Sequence, residues 1–355
     1  MKRKIKQILG KRPRRKKDQP AKLEEAIQTI PRITNETVAE HREEVLSSAR
    51  KYIYPLQHSA HRVVIVSLSL FAAVVILFFS YCLLAMYKLQ SSSGFVYAVT
   101  QVIPFPVARA GSHFVSYESY LFELRHYIHY YQTQQKVDFS STAGKQQLAD
   151  FRKRALQSVV NDAYIKELAK QHNVSVSDQE LNNEIALVRD QNRLGSNDQV
   201  FADVLKEFWG WSVDDFKREL KQQMLTQKVV ATLDTVTQQR AQNVLNQLQQ
   251  GGNFGDLAKK YSDDPSTRDS GGDYGFAIDK NNRDISPQVV DELFKLQPGQ
   301  TSGIISAGNG LEIVKVQSVS SGKVRASHIM FAFKDVNTYI QPLRDKQKTH
   351  AYIHP

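Results

Sequence analysis

Val63 to Tyr87 reads VVIVSLSLFAAVVILFFSYCLLAMY, bounded by Arg62 and Lys88 with no charged residue between them. At about 1.5 Å of rise per residue, such a helix is longer than the roughly 30 Å hydrocarbon core of a bilayer. A buried core helix of this length would carry a polar face. A cleaved leader would not start so far into the chain or lack a small-residue cleavage pattern. The stretch therefore predicts a single membrane-spanning helix over residues 62–88.

On the N-terminal side, sixteen Lys and Arg stand against seven Asp and Glu, which accounts for nine of the chain's eleven net positive charges. Cytoplasmic flanks carry such an excess, so residues 1–61 are expected in the cytoplasm and the larger remainder outside, in a single-pass cell-membrane protein. Met1 to Lys17 is rich in Lys and Arg with no aromatic interleaved. Such a run suits anionic lipid, and no nucleic-acid partner is expected. Leu23 to Tyr54 reads as an amphipathic helix or a linker. The one cysteine, Cys82, falls inside the apolar run, so the outer part has no disulfide framework. Phe79, Ser80 and Tyr81 before it do not form a lipoprotein cleavage site.

On the C-terminal side, 355 residues with 41% hydrophobic content leave room for one or two folded domains. Ser91 to Gly94 reads as a flexible joint, and Val96 to Val107 as a strand ended by Pro104 and Pro106. Ser116 is a candidate N-cap for an aromatic-rich helix. Apolar spacings of three and four from Gln146 to Leu168, a capping box at Ser177 and Glu180, and a cap at Ser212 predict further helices, so that Ser116 to Leu233 reads as all-helical. Its Tyr and Phe content offers apolar surface to unfolded chains. After Thr237 two short helices, a loop rich in Gly, Ser and Asp, a helix from Pro287 to Leu296, and strands over Leu311 to Val319 and Val324 to Phe333 predict an α+β unit. Residues 95–236 and 237–355 are thus two expected domains.

Several side-chain groups invite chemistry and do not carry it far. Glu123, His126 and His129 share one helix face but have no second ligand helix in view. Asp263, Asp264, Asp269 and Asp273 lack the alternating ladder of a calcium loop. Adjacent carboxylates such as Asp263 and Asp264 do not face each other across a sugar.

The segment Phe254 to Phe276, FGDLAKKYSDDPSTRDSGGDYGF, resembles the parvulin (PpiC) class of peptidyl-prolyl cis/trans isomerases. Pro287 to Leu296 resembles that family's pocket helix, Gln297 to Ser302 its Gly-containing turn, and Gly310 to Val316 its last strand. The helical stretch, from its PFPVA start at Pro104 to Ala108, is similar to the N-terminal chaperone domain of SurA-type and PrsA-type foldases. The resemblance implies an extracytoplasmic foldase, or a non-catalytic holdase on the same fold. Its partners would be unfolded or partly folded exported polypeptides with X-Pro segments, together with membrane lipid, and no cofactor or metal would be needed. It also implies catalytic roles for His328, Asp264, Ser266 and Glu312, and substrate contacts from Tyr274, Ile285, Val289 and Phe294. Ile285, Val289 and Glu312 depart from the family's Met, Phe and second His, which points to weak turnover.

The family's first strand, ending in A-S-H-I-L, has no counterpart before Thr237; Ala326-Ser-His-Ile-Met330 stands near the other end. This strand is expected to pair antiparallel with Leu311 to Val319 through a turn at Ser321-Gly322, closing the sheet in permuted order. A truncated second repeat is the other reading. If the faces are shared, Glu312 falls beside His328.

Overall fold

The computed structural model describes residues 33–355 except 54, 192–193 and 195–196. The basic tail and the first part of the Leu23 to Tyr54 stretch lie outside the described residues. Contacts divide the chain after Ser80 into two units.

The first unit contains α1 (Asn35–Ile53), a polar helix, and most of α2 (Pro55–Leu83). Pro55 opens α2, where its missing N–H costs nothing and its fixed φ suits a first helical turn. His61–Lys88 is the one helix among the described residues that is long and apolar enough to cross a membrane.

In the second unit, α2 ends in a π-helical turn over Leu84–Lys88. Its inner side is buried: Cys82 and Ala85 are each 2% exposed and Met86 0%. The Tyr117 hydroxyl donates to the Met86 carbonyl at 2.6 Å, and the Tyr87 hydroxyl to the Pro106 carbonyl at 2.6 Å. The last turn of the apolar run is therefore protein core on one side.

Two readings of the following stretch are corrected. The Ser91 to Gly94 segment is tied down: Ser91 N–H donates to the Ala85 carbonyl, Arg125 Nη1 to the Ser92 carbonyl at 2.8 Å, and Arg152 Nη2 to the Gln90 carbonyl at 3.1 Å. The expected strand from Val96 is a helix, α3 (Gly94–Val102), capped by the Ser93 side chain. A short run with so few polar positions shows no clear period, so its β-branched residues mislead; Val96 and Thr100, four apart, pack inward together.

Among the described residues from Tyr117 to Leu233 every element is a helix, as expected, and a strand pair precedes them. β1 (Pro106–Ala110) and β2 (His113–Ser116) form a hairpin ahead of α4 (Tyr117–Thr133), which Ser116 caps as expected. The remaining helices are α5 (Thr142–Gln171), α6 (Asp178–Gln191), α7 (Asp198–Trp209) and α8 (Val213–Leu233). The Ser212 and Asp215 side chains close a capping box on α8, and Ser177 and Glu180 exchange hydrogen bonds in the same pattern at the start of α6. Tyr117, Tyr120, Leu121, Leu124, Tyr164 and Ile165 are among the largest fully buried side chains. A second cluster gathers Leu181, Ile185, Phe201, Leu205 and Leu220.

The last part holds α9 (Thr235–Gln249), α10 (Phe254–Tyr261), α11 (Pro287–Leu293), β3 (Ile305–Ser306), β4 (Gly310–Ser320) and β5 (Lys323–Ala332). The antiparallel sheet has the order β3-β4-β5, with Val314 opposite His328 and Val316 opposite Ala326. Period-2 alternation gives it two apolar faces. Leu311, Ile313, Ile329 and Phe331 pack under α9 and α10, while Val314, Val316, Val324 and Ala326 pack under α11. Beyond β5 the chain forms α12 (Asn337–Lys346) and β6 (His350–Ala351), and β6 adds to β1 as the third strand of the other sheet.

Candidate active site

His328 sits near the middle of β5 and is 5% exposed. Its Nδ1 lies 3.0 Å from Glu312 Oε2, and its Nε2 lies 2.9 Å from Asp264 Oδ2. Glu312 is opposite Met330 on β4, so it reaches His328 diagonally on the face the two strands share. The Tyr274 ring stacks on the imidazole, centroids 4.3 Å apart at 28°, and its hydroxyl donates to Glu312 Oε2 at 3.1 Å. Each ring nitrogen thus has a carboxylate oxygen within hydrogen-bond distance.

The loop after α10 delivers Asp264. Ser262 accepts from Met330 N–H at 3.2 Å, and Asp263 pairs bidentately with Arg240 at 2.8 and 2.9 Å. These contacts hold the loop on the edge of β5. Asp264 accepts from the Ser266 hydroxyl at 2.7 Å and from the Thr267 hydroxyl at 2.6 Å. Partial burial pushes the Asp264 carboxyl up, but hydrogen bonds from Thr267, Ser266 and His328 outweigh it and hold it well below the usual carboxylate range. Burial, with Glu312 next, pushes the Tyr274 hydroxyl far up, so it stays a donor.

The Gly271-Gly272 pair closes the loop on the strand. His328 N–H donates to the Gly272 carbonyl and Tyr274 N–H to the Ala326 carbonyl, both backbone bonds. Gly272 has φ +82°, and a Cβ there would stand 2.1 Å from the His328 carbonyl oxygen. Only glycine fits at that contact.

Asp264, Ser266, Glu312, His328 and Tyr274 are thus brought together. Ile285 and Val289, 6% and 0% exposed, lie in the core beneath the sheet, while Tyr274 and Phe294 are half-buried against the same cluster. Sequence reasoning missed Thr267, whose hydroxyl lies 2.8 Å from His328 Nε2, and Phe276, which is 41% exposed with its ring 6.1 Å from that of Tyr274. Thr267 carried a signal: it stands three residues after Asp264, the reach of a side chain across a tight turn.

The alternative groupings lead elsewhere. Glu123 takes the Tyr127 hydroxyl, His126 stacks on Trp211 at 4.5 Å, and His129 meets the Glu207 carbonyl. A cavity of about 820 Å³ lies in the helical module, lined by Phe122, Val159, Leu225, Asp162 and Glu219 among others, away from His328.

Residues 224–318 match the family described as PPIC-type PPIASE domain, and residues 57–230 match the SurA-like N-terminal domain. The chain joins a SurA-like N-terminal domain to a PpiC-type rotamase domain. It is 27% identical to foldase protein PrsA 2 of Bacillus cereus over 40% of this chain and 53% of that protein. It is 25% identical to foldase protein PrsA of Caldanaerobacter subterraneus over 50% of this chain and 60% of that one. Against periplasmic chaperone PpiD of Escherichia coli the identity is 33% over 26% of this chain and 14% of the other. The chain thus spans little more than half the length of the two PrsA relatives. The rotamase match stops inside β4, so His328 lies just beyond it, whereas Asp264, Tyr274 and Glu312 lie within it.

Proposed function

We propose that this chain is a membrane-anchored extracytoplasmic foldase whose rotamase domain isomerises X-Pro bonds in exported polypeptides. The observation that carries this reading is His328 held between Asp264 and Glu312 with Tyr274 stacked on it. Prolyl rotation crosses a barrier of roughly 18 to 20 kcal/mol and asks for no covalent step. A catalyst needs an apolar rest for the proline ring and a fixed polar surround for an amide losing its conjugation. Tyr274, Phe294 and Phe276 supply the rest, with Ile285 and Val289 as backing. Asp264, Ser266, Glu312 and His328 supply the surround.

In this reading β5 stands where the family has its first strand. Three features support it: the A-S-H-I-M sequence of β5, its ladder along β4, and a rotamase match that ends at residue 318. The chain after β5 enters α12 and β6, which add to the helical module rather than opening a second G-G-D loop. Residues 95–236 then serve as the chaperone domain, which holds unfolded segments near the rotamase site. The charge asymmetry about the span favours a cytoplasmic tail and outside domains.

The test is a proline-peptide isomerisation assay on the full chain in detergent, run beside suppression of aggregation of an unfolded protein. Accelerated isomerisation that is lost in His328→Ala supports the enzyme. Suppression of aggregation with no acceleration would make the protein a holdase on a rotamase fold.

A further inference from the structure

We propose that the outer face of α3 lies in the headgroup and upper acyl layer of the membrane, so that the second unit is seated on lipid rather than hung from a tether. The proposal rests on the reading that α2 crosses a membrane.

α3 contains no charged residue. Val96 and Thr100 face the protein, while Phe95, Ala98 and Val102 are exposed, Phe95 by 54% and Val102 by 82%. With Val99 these positions follow the i, i+3, i+4, i+7 spacing of a single apolar helix face. None of the four is polar, and the exposed Gln101 stands at the edge of the face, where it can reach the headgroups.

Depth follows from one contact. The Phe95 ring lies 6.1 Å from the ring of Tyr81. Tyr81 precedes the exposed Lys88 by about two helical turns, roughly 10 Å along the axis. When Lys88 extends to the phosphate level, Tyr81 stands below it, and Phe95 stands there too. Exposed Leu84 and Leu89 add to the same end of the chain's apolar run. The joint cannot swing α3 away, because Gln90, Ser91 and Ser92 are held by the backbone and arginine hydrogen bonds described above. Continuity with the apolar run selects lipid over a second protein: the Phe95, Ala98, Val99 and Val102 face carries no charge, and only Gln101 at its edge offers hydrogen bonds. Helices that lie in the interface bury such a face by about 5–10 Å.

The experiment adds one tryptophan at a time to the full chain, read against the parent with its native Trp209 and Trp211, reconstituted into phosphatidylcholine–phosphatidylglycerol vesicles with lipids brominated near the glycerol or deep in the chain. Phe95→Trp and Val102→Trp are expected to lose roughly half or more of their added emission to the shallow quencher. Val319→Trp, an exposed position at the far end of β4, should respond only to aqueous iodide. Iodide quenching at 95 and 102 equal to that at 319, without bromolipid quenching, would overturn the proposal. So would shielding from both quenchers, which would mean that protein covers the face. Val74→Trp separates the two failures: if it responds to the deep quencher while 95 and 102 do not, the span stands and the seating falls; if it does not respond, the span reading itself fails.

Discussion

Glu312 Oε2 lies 3.0 Å from His328 Nδ1, one diagonal step across the β4–β5 ladder, and receives the Tyr274 hydroxyl as well. Replacing Glu312 by Ala leaves two buried donors without their acceptor. Each such loss costs about 1–3 kcal/mol, and more where a charge is left alone. We expect Glu312→Ala to lower the stability of the rotamase domain by about 3 kcal/mol in denaturant titration and to remove isomerase activity. Glu312→Gln keeps an oxygen acceptor but loses the charge, so it should fold while its turnover falls about tenfold, a barrier change of about 1.4 kcal/mol. Full turnover in Glu312→Gln would remove the carboxylate from the mechanism.

Much of this arrangement was legible in the chain. Alternation put Glu312, Val314 and Val316 on one face of β4 and Ala326, His328 and Met330 on one face of β5, and the observed register, with Val314 opposite His328, makes those faces the same one. The capping residues Ser116, Ser177 and Ser212 gave helix starts because a side-chain acceptor before an apolar periodic run has few other uses. What failed was of two kinds. α3 has polar side chains only at Tyr97, Thr100 and Gln101, too few for either period to stand out. The return of β6 to β1 links Ala351 with Ala108, a pairing with no local trace in either two-residue stretch. The Ser91 to Gly94 joint, read as flexible by composition, is fixed by Arg125 on the Ser92 carbonyl and by Arg152 on the neighbouring Gln90 carbonyl, both from distant helices.

Gly272 is the tightest contact at the site. A methyl group there meets backbone rather than a movable side chain, and the φ of +82° is unfavourable for any L residue. Gly272→Ala should push the loop off β5, separate Asp264 from His328, and lower rotamase-domain stability by about 3 kcal/mol or more, a loss of the size that backbone strain produces. Gly275→Ala is the control: φ is also positive at +79°, but nothing lies within 4 Å of the added carbon. It should cost only about 1–2 kcal/mol. Equal effects would show that steric contact with His328 is not what the glycine serves.

The two halves of the second unit should answer acid in opposite directions. In the helical module burial, reinforced by Glu123 and Asp162, raises the Glu219 carboxyl to about 7, and burial raises Asp162 to about 6 against the pull of Lys166. A folded-state value above the unfolded one means the folded protein binds the proton more tightly. Stability therefore rises as pH falls from about 8 toward 5, and is lost again as pH climbs through these values. Asp264 is the reverse case. Its depressed carboxyl contributes stability above the ordinary Asp range near 4, and that contribution fades as pH falls below it. Thermal unfolding at about pH 8, 5.5 and 3 should show the helical module strengthening at the middle value and the rotamase domain weakening at the lowest. Glu219→Gln should flatten the first change, gaining about 1 kcal/mol at the highest pH after allowance for screening by Arg218 and Lys166. A helical module that weakens steadily from the highest pH downward would contradict this assignment.

The C-terminal segment after β5 belongs energetically to the helical module, although it follows the rotamase strands in sequence. Ile340 and Ile353 are 0% and 1% exposed. Tyr164 donates to the Gln347 carbonyl at 2.6 Å, Arg344 bonds Asn161, and Tyr352 N–H donates to the Val107 carbonyl. Ending the chain after Phe333 removes two buried isoleucines, each contributing about 1.5–3 kcal/mol, and leaves an edge of β1 unpaired. Asp264, Tyr274, Glu312 and His328 all remain. We expect the shortened protein to keep its rotamase transition in calorimetry, while the helical module unfolds at a temperature lower by roughly 10 °C. Aggregation suppression should fall with the module and peptide isomerisation should persist. If the rotamase transition were the one to drop, the segment would be supporting β5 instead, and the contacts to Tyr164 and Val107 would be secondary.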